Sequence, residues 1–475
     1  PDALWTGREI ADATGGVLTG DWSVGGVSID TRTLQQGDLF VALTDQRDGH
    51  EFVQQAFAAG AHGCLVSRDV GQPGVQVEDV LNALENLGTA ARARTQAQCA
   101  AITGSVGKTS VKEMLARIFR AVGPAHWSVK SFNNHWGVPL TLSRMPAETQ
   151  RAIFEIGMST PGEIAPRSIM VKPHVVMITR ISPAHIQNMG SLEAVADEKS
   201  DIAAGLLDGG YAILPADDAF FGHLQTKVMR LQPGAVLKSF GGGAGASDAF
   251  VVGYESDGAR SRILINVEGH EVQVELNAVG EHWAGNAALA LLAATLMGIA
   301  PKDAAAALSG YMPPEGRGSS SQLRLAGGGS ATLVDDSYNA NPDSMRAALE
   351  GLSRRSGRKI VALGEMRELG PDSERLHTEL SAPIVAAGVS VAVLTGSIMK
   401  PLADELVSQN KDIDVVLVDD PKSAGEAVAK VLSDGDTVLI KGSNASGMGR
   451  VGAALKAMSD AVEGSQKASG AEHAV

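Results

Sequence analysis

The stretch Ile102-Thr103-Gly104-Ser105-Val106-Gly107-Lys108-Thr109-Ser110 decides the fold of this chain. A short apolar run, Cys99 to Thr103, leads into the glycine turn, and a helical pattern from Val111 to Ala121 follows it. A strand, a glycine-rich turn and a helix in this order predict a βαβ unit of a parallel sheet. Backbone N–H groups of such a turn bind phosphates, so we expect Lys108 to reach the β and γ phosphates and Thr109 to hold Mg²⁺.

The turn is a shortened form of the phosphate-binding pattern G-x-x-x-x-G-K-[ST]. Ile102 stands where the full pattern has its first glycine. A glycine turn followed by a solvent-exposed lysine is the alternative interpretation of the same residues. The strand before the turn and the helix after it favour the phosphate site.

Apolar runs on both sides of this turn predict an α/β fold, and the length of 475 residues indicates about three domains. Strand and helix patterns alternate in a small first domain, residues 1–97, and again in a central domain, residues 98–315. After the Pro- and Gly-rich linker 313–318, five more strands interleaved with helices predict a Rossmann-like third domain, residues 316–462. The polar tail, residues 463–475, is expected to be mobile.

Two segments of the central domain have patterns of their own. Residues 241–275 contain a glycine cluster followed by alternating segments, which predict an antiparallel appendage. The Ala-rich segment from Asn286 onward contains the longest apolar run, residues 287–300. That run is shorter than the ~20 residues that cross a bilayer, so it predicts a buried helix.

The composition limits the class of ligand and the compartment. The formal net charge is −14, from 40 Lys and Arg against 54 Asp and Glu, which argues against a general binder of nucleic acid or anionic membranes. A phosphate-bearing ligand therefore needs a locally basic or amide-lined pocket. Cys64 and Cys99 are too few for a disulfide framework, and no charged and apolar leader is found, so we expect a cytoplasmic protein.

Three ionisable residues of the central domain are candidates for metal binding. Glu155 interrupts an otherwise apolar strand, and a buried carboxylate is costly unless a cation meets it, such as Mg²⁺ beyond the strand end. The alternative interpretation is a carboxylate that pairs with an arginine or stands at a strand terminus. His185 lies on a loop, where a lone histidine is usually a surface or packing residue. Lys199 stands among acids on a helix, which is typical of a solvated charge pair.

Two polar segments are candidates for nucleotide contacts. Asn286 precedes the buried helix, where it could cap the helix or bind a base edge or a ribose. Residues 335–342 begin where an apolar strand ends, which is where α/β sheets place ligands. Capping of the next helix by Asn341 or Asp343 explains only part of this polar segment.

The order of these motifs resembles that of the Mur ligases, the ATP-dependent amide-forming enzymes of bacterial peptidoglycan synthesis, over essentially the whole chain. The resemblance rests on residues 104–113, 133–142 and 335–342, which read GSVGKTSVKE, NNHWGVPLTL and DDSYNANP. It implies three domains: an N-terminal one for a UDP-sugar substrate, a central P-loop parallel-sheet ATPase, and a C-terminal Rossmann-like domain. These segments look most like the member that joins D-alanyl-D-alanine to UDP-N-acetylmuramoyl-tripeptide through an acyl phosphate. The family also implies ATP, two Mg²⁺ ions and a monomer.

The resemblance also assigns roles to individual residues. The catalytic set is Lys108, Glu155, His185 and Lys199. The expected ATP contacts are Gly104, Ser105, Val106, Gly107, Lys108, Thr109, Ser110, Asn286 for adenine, Arg317 for phosphate, Asp336 for ribose, Tyr338, Asn339 and Asn341. The expected UDP-substrate contacts are Ser28, Asp30, Thr31, Arg32, Asp48, Gly49, His50, Asn133 and Asn134. Thr109 and Glu155 would hold the first Mg²⁺, and His185 and Lys199 the second, with Lys199 as a carbamate that replaces its ammonium by a carboxylate able to bind a hard cation.

Alternative functions stay open at the level of sequence. A relative that adds a different amino acid, such as an earlier Mur ligase or a folylpolyglutamate synthetase, would share the fold. A P-loop protein that uses nucleotide as a switch would bind nucleotide without forming an amide. Gln187 and Glu365 depart from the residues usual in the family, and the third residue of the peptide, lysine or diaminopimelate, is not indicated by any motif.

Overall fold

The computed structural model describes residues 3–129, 131–183, 186–409 and 412–472, without the side chains of residues 463–472. It confirms the α/β class. The N-terminal elements form a sheet in the order β2-β7-β6-β5-β4 beside the short β1-β3 pair. The strands are β1 (Trp5–Thr6), β2 (Val17–Thr19), β3 (Ser23–Val24), β4 (Gly26–Ser28), β5 (Asp38–Val41), β6 (Gly63–Val66) and β7 (Gly74–Gln76), and the helices are α1 (Gly7–Thr14), α2 (Val53–Ala58) and α3 (Val80–Ala93).

The central elements form one large sheet in the order β16-β15-β14-β13-β12-β11-β8-β10-β9. Its strands are β8 (Gln98–Thr103), β9 (Ala125–Trp127), β10 (Arg151–Glu155), β11 (Val175–Ile178), β12 (Tyr211–Pro215), β13 (Val236–Phe240), β14 (Ala249–Ser256), β15 (Ser261–Val267) and β16 (His270–Leu276). The helices are α4 (Lys108–Val122), α5 (Gly137–Ser143), α6 (Ile164–Val171), α7 (Ile186–Met189), α8 (Leu192–Ser200), α9 (Phe221–Leu231), α10 (Glu281–Leu296) and α11 (Pro301–Leu308).

Strand β8 shows why this sheet is buried on both faces. Ala100 and Ile102 pack with α4 and α10 on one face, whereas Cys99 and Ala101 pack with α5, α6 and α8 on the other. Alternate residues of a strand point to opposite faces, so a continuous apolar run is required here. The carboxyl ends of β8, β10 and β11 consequently meet at one edge, and the glycine turn lies there.

Two expectations for the central domain need correction. Residues 241–275 do contain the antiparallel strands β14 to β16, but β14 pairs with β13 in parallel, so they extend the main sheet and are not a separate appendage. The buried helix α10 begins at Glu281 with Gly280 in the N-cap position. Asn286 therefore lies inside the helix and does not cap it.

The C-terminal elements form a sheet in the order β17-β18-β22-β19-β20-β21, parallel except for β17. Its strands are β17 (Ser319–Arg324), β18 (Ser330–Asp336), β19 (Lys359–Gly364), β20 (Val389–Thr395), β21 (Asp414–Val418) and β22 (Thr437–Lys441). The helices are α12 (Pro342–Ser353), α13 (Ser373–Thr378), α14 (Ser381–Ala386), α15 (Lys400–Gln409), α16 (Pro421–Val431) and α17 (Gly449–Glu472). The backbone of residues 463–472, expected as a tail, continues α17.

Cys64 and Cys99 are both free and buried. In the described ranges, no helix combines the length and the apolar character needed to span a membrane.

Candidate active site

The glycine turn between β8 and α4 has the conformation that a phosphate site needs. Gly104 has a φ of +142° and Gly107 one of +84°, values that disfavour any side chain. A Cβ atom at Gly104 would lie 1.8 Å from Oγ1 of Thr179, and one at Gly107 would lie 2.8 Å from Oδ1 of Asn286. Both glycines are therefore required by their surroundings. Because α4 begins at Lys108, its free N–H groups face the turn.

Residues that follow β11 hold the turn from outside. The Ser105 backbone N–H donates to the Arg180 carbonyl at 2.8 Å, and the Ser105 hydroxyl donates to the Ser182 carbonyl at 3.0 Å. Thr179 donates from its hydroxyl to the Val106 carbonyl at 2.5 Å. These bonds fix the backbone of the turn, so its N–H groups are oriented before any ligand binds.

The Lys108 side chain folds back over the turn. Its Nζ donates a 2.5 Å hydrogen bond to the Gly104 carbonyl. Burial lowers the pKa of Lys108, Glu155 acts in the opposite direction, and Arg317 lowers the pKa further. A lysine extended into solvent, the alternative interpretation of the motif, does not describe this side chain.

Glu155, the last residue of β10, lies directly beside the turn and is only 1% exposed. The Thr109 hydroxyl donates to Glu155 Oε2 at 2.7 Å, and the Asn133 amide donates to Glu155 Oε1 at 2.7 Å. Within the part of the chain that the structure describes, no arginine or lysine forms an ion pair with Glu155. Glu155 is therefore not paired with an arginine, but it does stand at a strand terminus, as the alternative interpretation also allowed.

The donor set of Thr109 and Glu155 fits Mg²⁺. Both side chains offer oxygen atoms next to the phosphate turn, and Mg²⁺ in nucleotide sites takes one or two protein oxygens together with phosphate and water. Outside the gaps in the described ranges, no group of three or more His, Cys, Asp or Glu side chains is arranged as a metal site. Any ion here would thus complete its shell with substrate phosphates and water.

Lys199 is a buried residue and not the solvated charge pair that its acidic neighbours suggested. It is 2% exposed at the end of α8, and among the described residues its ammonium has no hydrogen bond or ion pair. Burial, with repulsion from Lys108 as a second cause, lowers the pKa of Lys199 well below its usual value. His185, expected beside it, lies outside the described residues.

The acids beside Lys199 are bonded elsewhere. Glu198 accepts hydrogen bonds from the backbone N–H groups of Gly162, Glu163 and Ile164 at 2.7, 2.9 and 2.9 Å. It thereby ties α8 to the segment that precedes α6. Asp197 faces the other way and pairs with Lys227 at 2.9 Å.

The C-terminal domain contributes a carboxylate held by a lysine. Asp336 and Lys441 end the neighbouring parallel strands β18 and β22 and are register partners. Lys441 Nζ donates to Asp336 Oδ2 at 2.6 Å and to the Asn339 carbonyl at 2.9 Å. Burial raises the pKa of Asp336, and Lys441 opposes that effect. This pair lies at the carboxyl edge of the sheet, where α/β sheets bind ligands.

Arg317, in the linker, joins the two domains. Its guanidinium carbon lies 3.8 Å from the centre of the Tyr338 ring, and its Nη2 donates to the Ser131 hydroxyl at 2.9 Å. A cavity of about 40 Å³ lies beside it. Residues that line the cavity include Val279, His282, Trp283, Arg317, Asp336 and Gly351. The sequence-predicted Arg317, Asp336 and Tyr338 therefore come together.

The three asparagines expected to contact ATP differ in whether their side chains are already hydrogen-bonded. Asn341 caps α12, because its Oδ1 accepts a 2.9 Å bond from the Ser344 backbone N–H, so this oxygen is already engaged. Asn339 has an exposed side chain. Asn286 projects from the second turn of α10 toward Gly107, which places its amide beside the phosphate turn.

The expected UDP contacts fall into separate places. Ser28 to Arg32 follow β4 and Asp48 to His50 follow β5, so both segments lie at the carboxyl edge of the N-terminal sheet. Asp30 pairs with Arg32 at 2.6 Å. Asn133 and Asn134 instead lie on a loop of the central domain. Asn133 binds Glu155, and Asn134 Oδ1 accepts a 2.9 Å bond from the Gly137 backbone N–H.

A hydrogen-bonded network orders the second of these segments. Asp48 Oδ1 lies 2.6 Å from His50 Nδ1, and Asp48 Oδ2 lies 2.7 Å from Arg68. The Ser67 backbone N–H donates to His50 Nε2 at 2.9 Å, which assigns the imidazole proton to Nδ1. The Arg68 bond, with the bonds from His50, lowers the pKa of Asp48.

Sequence reasoning missed several residues that build these sites. Ser67 and Arg68 follow β6 at the same sheet edge as Asp48, and Glu198 holds the helix of Lys199. Lys441, the last residue of β22, holds Asp336. Charged residues that end adjacent strands were the available signal for Arg68 and Lys441, whereas nothing in the local sequence marks Glu198.

Two family models match the chain. The Mur ligase middle domain matches residues 102–294, and the Mur ligase glutamate ligase domain matches residues 323–444. Relatives named UDP-N-acetylmuramoyl-tripeptide--D-alanyl-D-alanine ligase include one from Bacillus subtilis, 32% identical over 92% of this chain and 95% of its own. Another, from Escherichia coli, is 34% identical over 82% of this chain and 85% of its own.

Solved structures resemble the whole chain. A crystal structure of MurF from Acinetobacter baumannii has a TM-score of 0.82 and 28% identity, and covers 95% of this chain and 98% of its own. MurF from Thermotoga maritima in complex with ADP has a TM-score of 0.76 at 22% identity over 91% of this chain and 97% of its own, which shows a shared fold.

Proposed function

The chain belongs to the Mur ligase family, and from that premise we propose that it joins D-alanyl-D-alanine to UDP-N-acetylmuramoyl-tripeptide in peptidoglycan synthesis, with ATP as the energy source. The product is the UDP-muramoyl-pentapeptide. The named function of the relatives, which this chain covers over most of their length, supports the choice of substrates.

One observation of geometry carries the proposal. Arg317, in the linker between the domains, lies close enough to act on the pKa of both Lys108 at the phosphate turn and Asp336 of the C-terminal domain, and it stacks on Tyr338. A nucleotide placed with its phosphates on the turn and its ribose at Asp336 would touch both domains. Asn286, beside Gly107, would then be available to the base.

The reaction requires two anions to approach each other. The terminal carboxylate of the tripeptide attacks the γ phosphate of ATP, which gives an acyl phosphate and ADP. The amine of D-alanyl-D-alanine then attacks the acyl carbon, and phosphate leaves. Lys108 and the N–H groups of the turn stabilise charge on the transferred phosphoryl group, and closure of the C-terminal domain excludes water.

The metal sites belong to the same proposal. Thr109 and Glu155 would hold the first Mg²⁺, and His185 with carbamylated Lys199 the second. Bound Mg²⁺ would neutralise the negative charge of the phosphates. A protein that is itself net negative does this poorly alone. Carbamylation requires a neutral amine, and a buried lysine that has no anionic partner among the described residues is suited to supply one.

Carbamylation of Lys199 has its own test. With ¹³C-bicarbonate, the wild-type protein should show a carbamate signal by NMR that is absent from Lys199→Arg. Lys199→Ala should lose activity and regain part of it when a short carboxylate such as acetate is added. Absence of the signal, with full activity in Lys199→Arg, would remove the carbamate from the proposal.

The UDP end of the substrate is assigned to the carboxyl edge of the N-terminal sheet. Arg32 is exposed there, and a guanidinium suits a diphosphate because its planar donors bond two oxygens at once. Asp48 and His50 lie at the neighbouring strand end. We assign the enzyme to the cytoplasm as a monomer, on the model of the family.

Mass analysis of the product tests the activity. The protein is incubated with ATP, Mg²⁺ and UDP-muramoyl-tripeptide containing lysine or diaminopimelate, and with D-alanyl-D-alanine or single amino acids. We expect a pentapeptide product only with the dipeptide. Addition of single amino acids would identify a different ligase, and nucleotide binding without any product would favour a switch protein.

Lys108→Ala tests the role of the phosphate turn in the reaction. It should abolish phosphate release that depends on both substrates, whereas Lys227→Ala, at a surface pair, should not. Undiminished turnover in Lys108→Ala would contradict the assigned site.

A further inference from the structure

Lys112 is a second lysine on α4, one turn beyond Lys108, and its side chain is completely buried. A buried ammonium is costly unless it is paired and hydrogen-bonded. Lys112 Nζ lies 2.7 Å from Glu113 Oε1 and donates a 2.7 Å hydrogen bond to the Ser128 carbonyl. The ammonium group of Lys112 therefore holds the backbone carbonyl of Ser128 in place.

Ser128 begins the segment that follows β9, named loop 128–134 after its described residues 128, 129 and 131–134. Its own hydroxyl accepts a 3.3 Å bond from the backbone N–H of Glu155, and its backbone N–H donates to the Ile153 carbonyl at 3.4 Å. The residue that Lys112 holds is thus also bonded to β10 at its end, where the proposed Mg²⁺ carboxylate lies.

The rest of loop 128–134 reaches two other parts of the site. The Asn133 amide donates to Glu155, and the Asn133 carbonyl accepts from the Gly157 backbone N–H at 2.9 Å. The Ser131 hydroxyl accepts from Arg317, in the linker to the C-terminal domain. One loop therefore contacts the carboxylate and the interdomain linker, and it carries Asn133 and Asn134, which the family resemblance assigns to the UDP-substrate.

We propose that Lys112 is a positioning residue that couples binding of the UDP-substrate to binding of the nucleotide by fixing loop 128–134. The inference rests on the proposed function for the identity of the two ligands. Without the Lys112 bond, the carbonyl of Ser128 loses its buried donor, and only the two longer bonds between Ser128 and β10 hold the start of the loop. Asn133 and Ser131 are then no longer held in place, and a ligand bound at one site has less effect on the affinity of the other site.

The variants separate the anchor from the buried charge. Lys112→Met keeps the aliphatic stem and removes the ammonium. Lys112→Met/Glu113→Gln also removes the carboxylate left without its partner, and Glu113→Gln alone keeps the bond to Ser128. Lys238→Met is the matched control, because Lys238 joins Asp248 and Glu268 in the same domain, away from the cleft.

Two measurements are made on the full-length chain. Hydrogen exchange of the peptide containing residues 128–134 should be faster in both Lys112 variants and unchanged in Lys238→Met. Titration calorimetry gives the affinity for ADP and for UDP-muramoyl-tripeptide, each alone and with the other at saturation. We expect each ligand to improve the affinity of the other by about fivefold or more in wild type, and by less than about twofold in the Lys112 variants.

Stability alone would not produce this pattern. Lys238→Met and Lys112→Met are both expected to lower the melting temperature, but only Lys112→Met should change the coupling between ligands. Unchanged exchange and unchanged coupling in the soluble double variant would overturn the proposal, as would loss of coupling in Lys238→Met. Failure of wild type to form product would instead count against the proposed function, while hydrogen exchange would still decide whether Lys112 anchors the loop.

Discussion

Lys199 and Glu198 are adjacent in the sequence, yet their charges do not pair. The Glu198 carboxylate is taken by backbone N–H groups at the start of α6, and the Lys199 ammonium is enclosed near the phosphate turn. A helical segment with alternating charges is typical of a solvated surface, so the sequence indicated the wrong environment. Only the resemblance to a family pointed to Lys199, because its environment is created by residues distant in sequence.

Glu198 should be a strong determinant of stability. Removal of its carboxylate in Glu198→Ala leaves three backbone N–H groups near Ile164 without an acceptor, and such losses cost about 2–4 kcal/mol. Chemical denaturation should show this decrease in the free energy of unfolding. Glu193→Ala, at an exposed position on the same helix, should change it by less than about 0.5 kcal/mol. Equal effects of the two substitutions would contradict the assigned role of Glu198.

The strands were the most predictable elements. Three apolar runs of the sequence lie in strands of the structure: residues 99–103 in β8, 175–178 in β11 and 391–394 in β20. Strands that are buried on both faces require such runs. Their ends were less predictable. The strand expected to stop at Val334 continues through Asp336, since Asp335 and Asp336 pair with β22, a strand about one hundred residues away in the sequence.

The helix α10 shows a different limit. Its uniform apolar composition indicated a buried helix, but the start was placed too late because Glu281 and His282 are polar. Those residues face the cleft between domains. Asn286, which the sequence indicated as a possible cap, therefore lies inside the helix, beside Gly107.

Packing of β9 against α5 should give the protein a pH-dependent stability. His126 Nε2 donates to the Thr141 carbonyl at 2.7 Å, a bond that both the neutral and the protonated imidazole can make. Burial lowers its pKa to about 4. Between the usual value and this one, the unfolded chain binds a proton that the folded chain does not. Stability contributed by His126 is therefore complete above about pH 6.5 and is lost as the pH falls toward 4, by about 3 kcal/mol.

Urea unfolding at pH 7 and pH 4.5 measures this contribution. His126→Gln, which retains a donor for Thr141 but does not titrate, should show a smaller decrease at pH 4.5 than wild type. His270→Gln, at an exposed position, should behave as wild type. An unaltered pH dependence in His126→Gln would refute the assignment.

At the scale of the whole molecule, the number and order of the α/β sheets follow from length and motif order, while the boundaries at residues 97 and 315 stay predictions. The contacts between domains were not predictable. Arg354 pairs with Glu281 at 2.6 Å, and Gly351 of α12 packs against Val279 of the central domain. Such residues lie on ordinary amphipathic helices, and nothing in their local pattern distinguishes a domain interface from solvent.

A side chain at Gly351 should separate the domains. A Cβ atom there would lie 3.0 Å from the Val279 carbonyl oxygen, so the side chain of Gly351→Met would crowd this contact between the domains. We expect a larger radius of gyration by small-angle X-ray scattering and a weaker affinity for ADP, by about threefold or more. Helix α12 itself should not suffer, because methionine is a better helix former than glycine.

Gly222→Met is the control for this substitution. Gly222 lies on α9, where nothing is within 4 Å of an added Cβ. Its radius of gyration and ADP affinity should match wild type. A Gly351→Met protein with wild-type dimensions would show that this contact does not hold the two domains together.

Strand β22 comes last in the chain but lies between β18 and β19 in the C-terminal sheet. During translation, every residue before Thr437 can leave the ribosome while this sheet still lacks its middle strand. Asp336 then has no Lys441 beside it. A premature stop codon between α11 and β22 would thus leave a truncated product that carries the phosphate turn but has no completed nucleotide cleft.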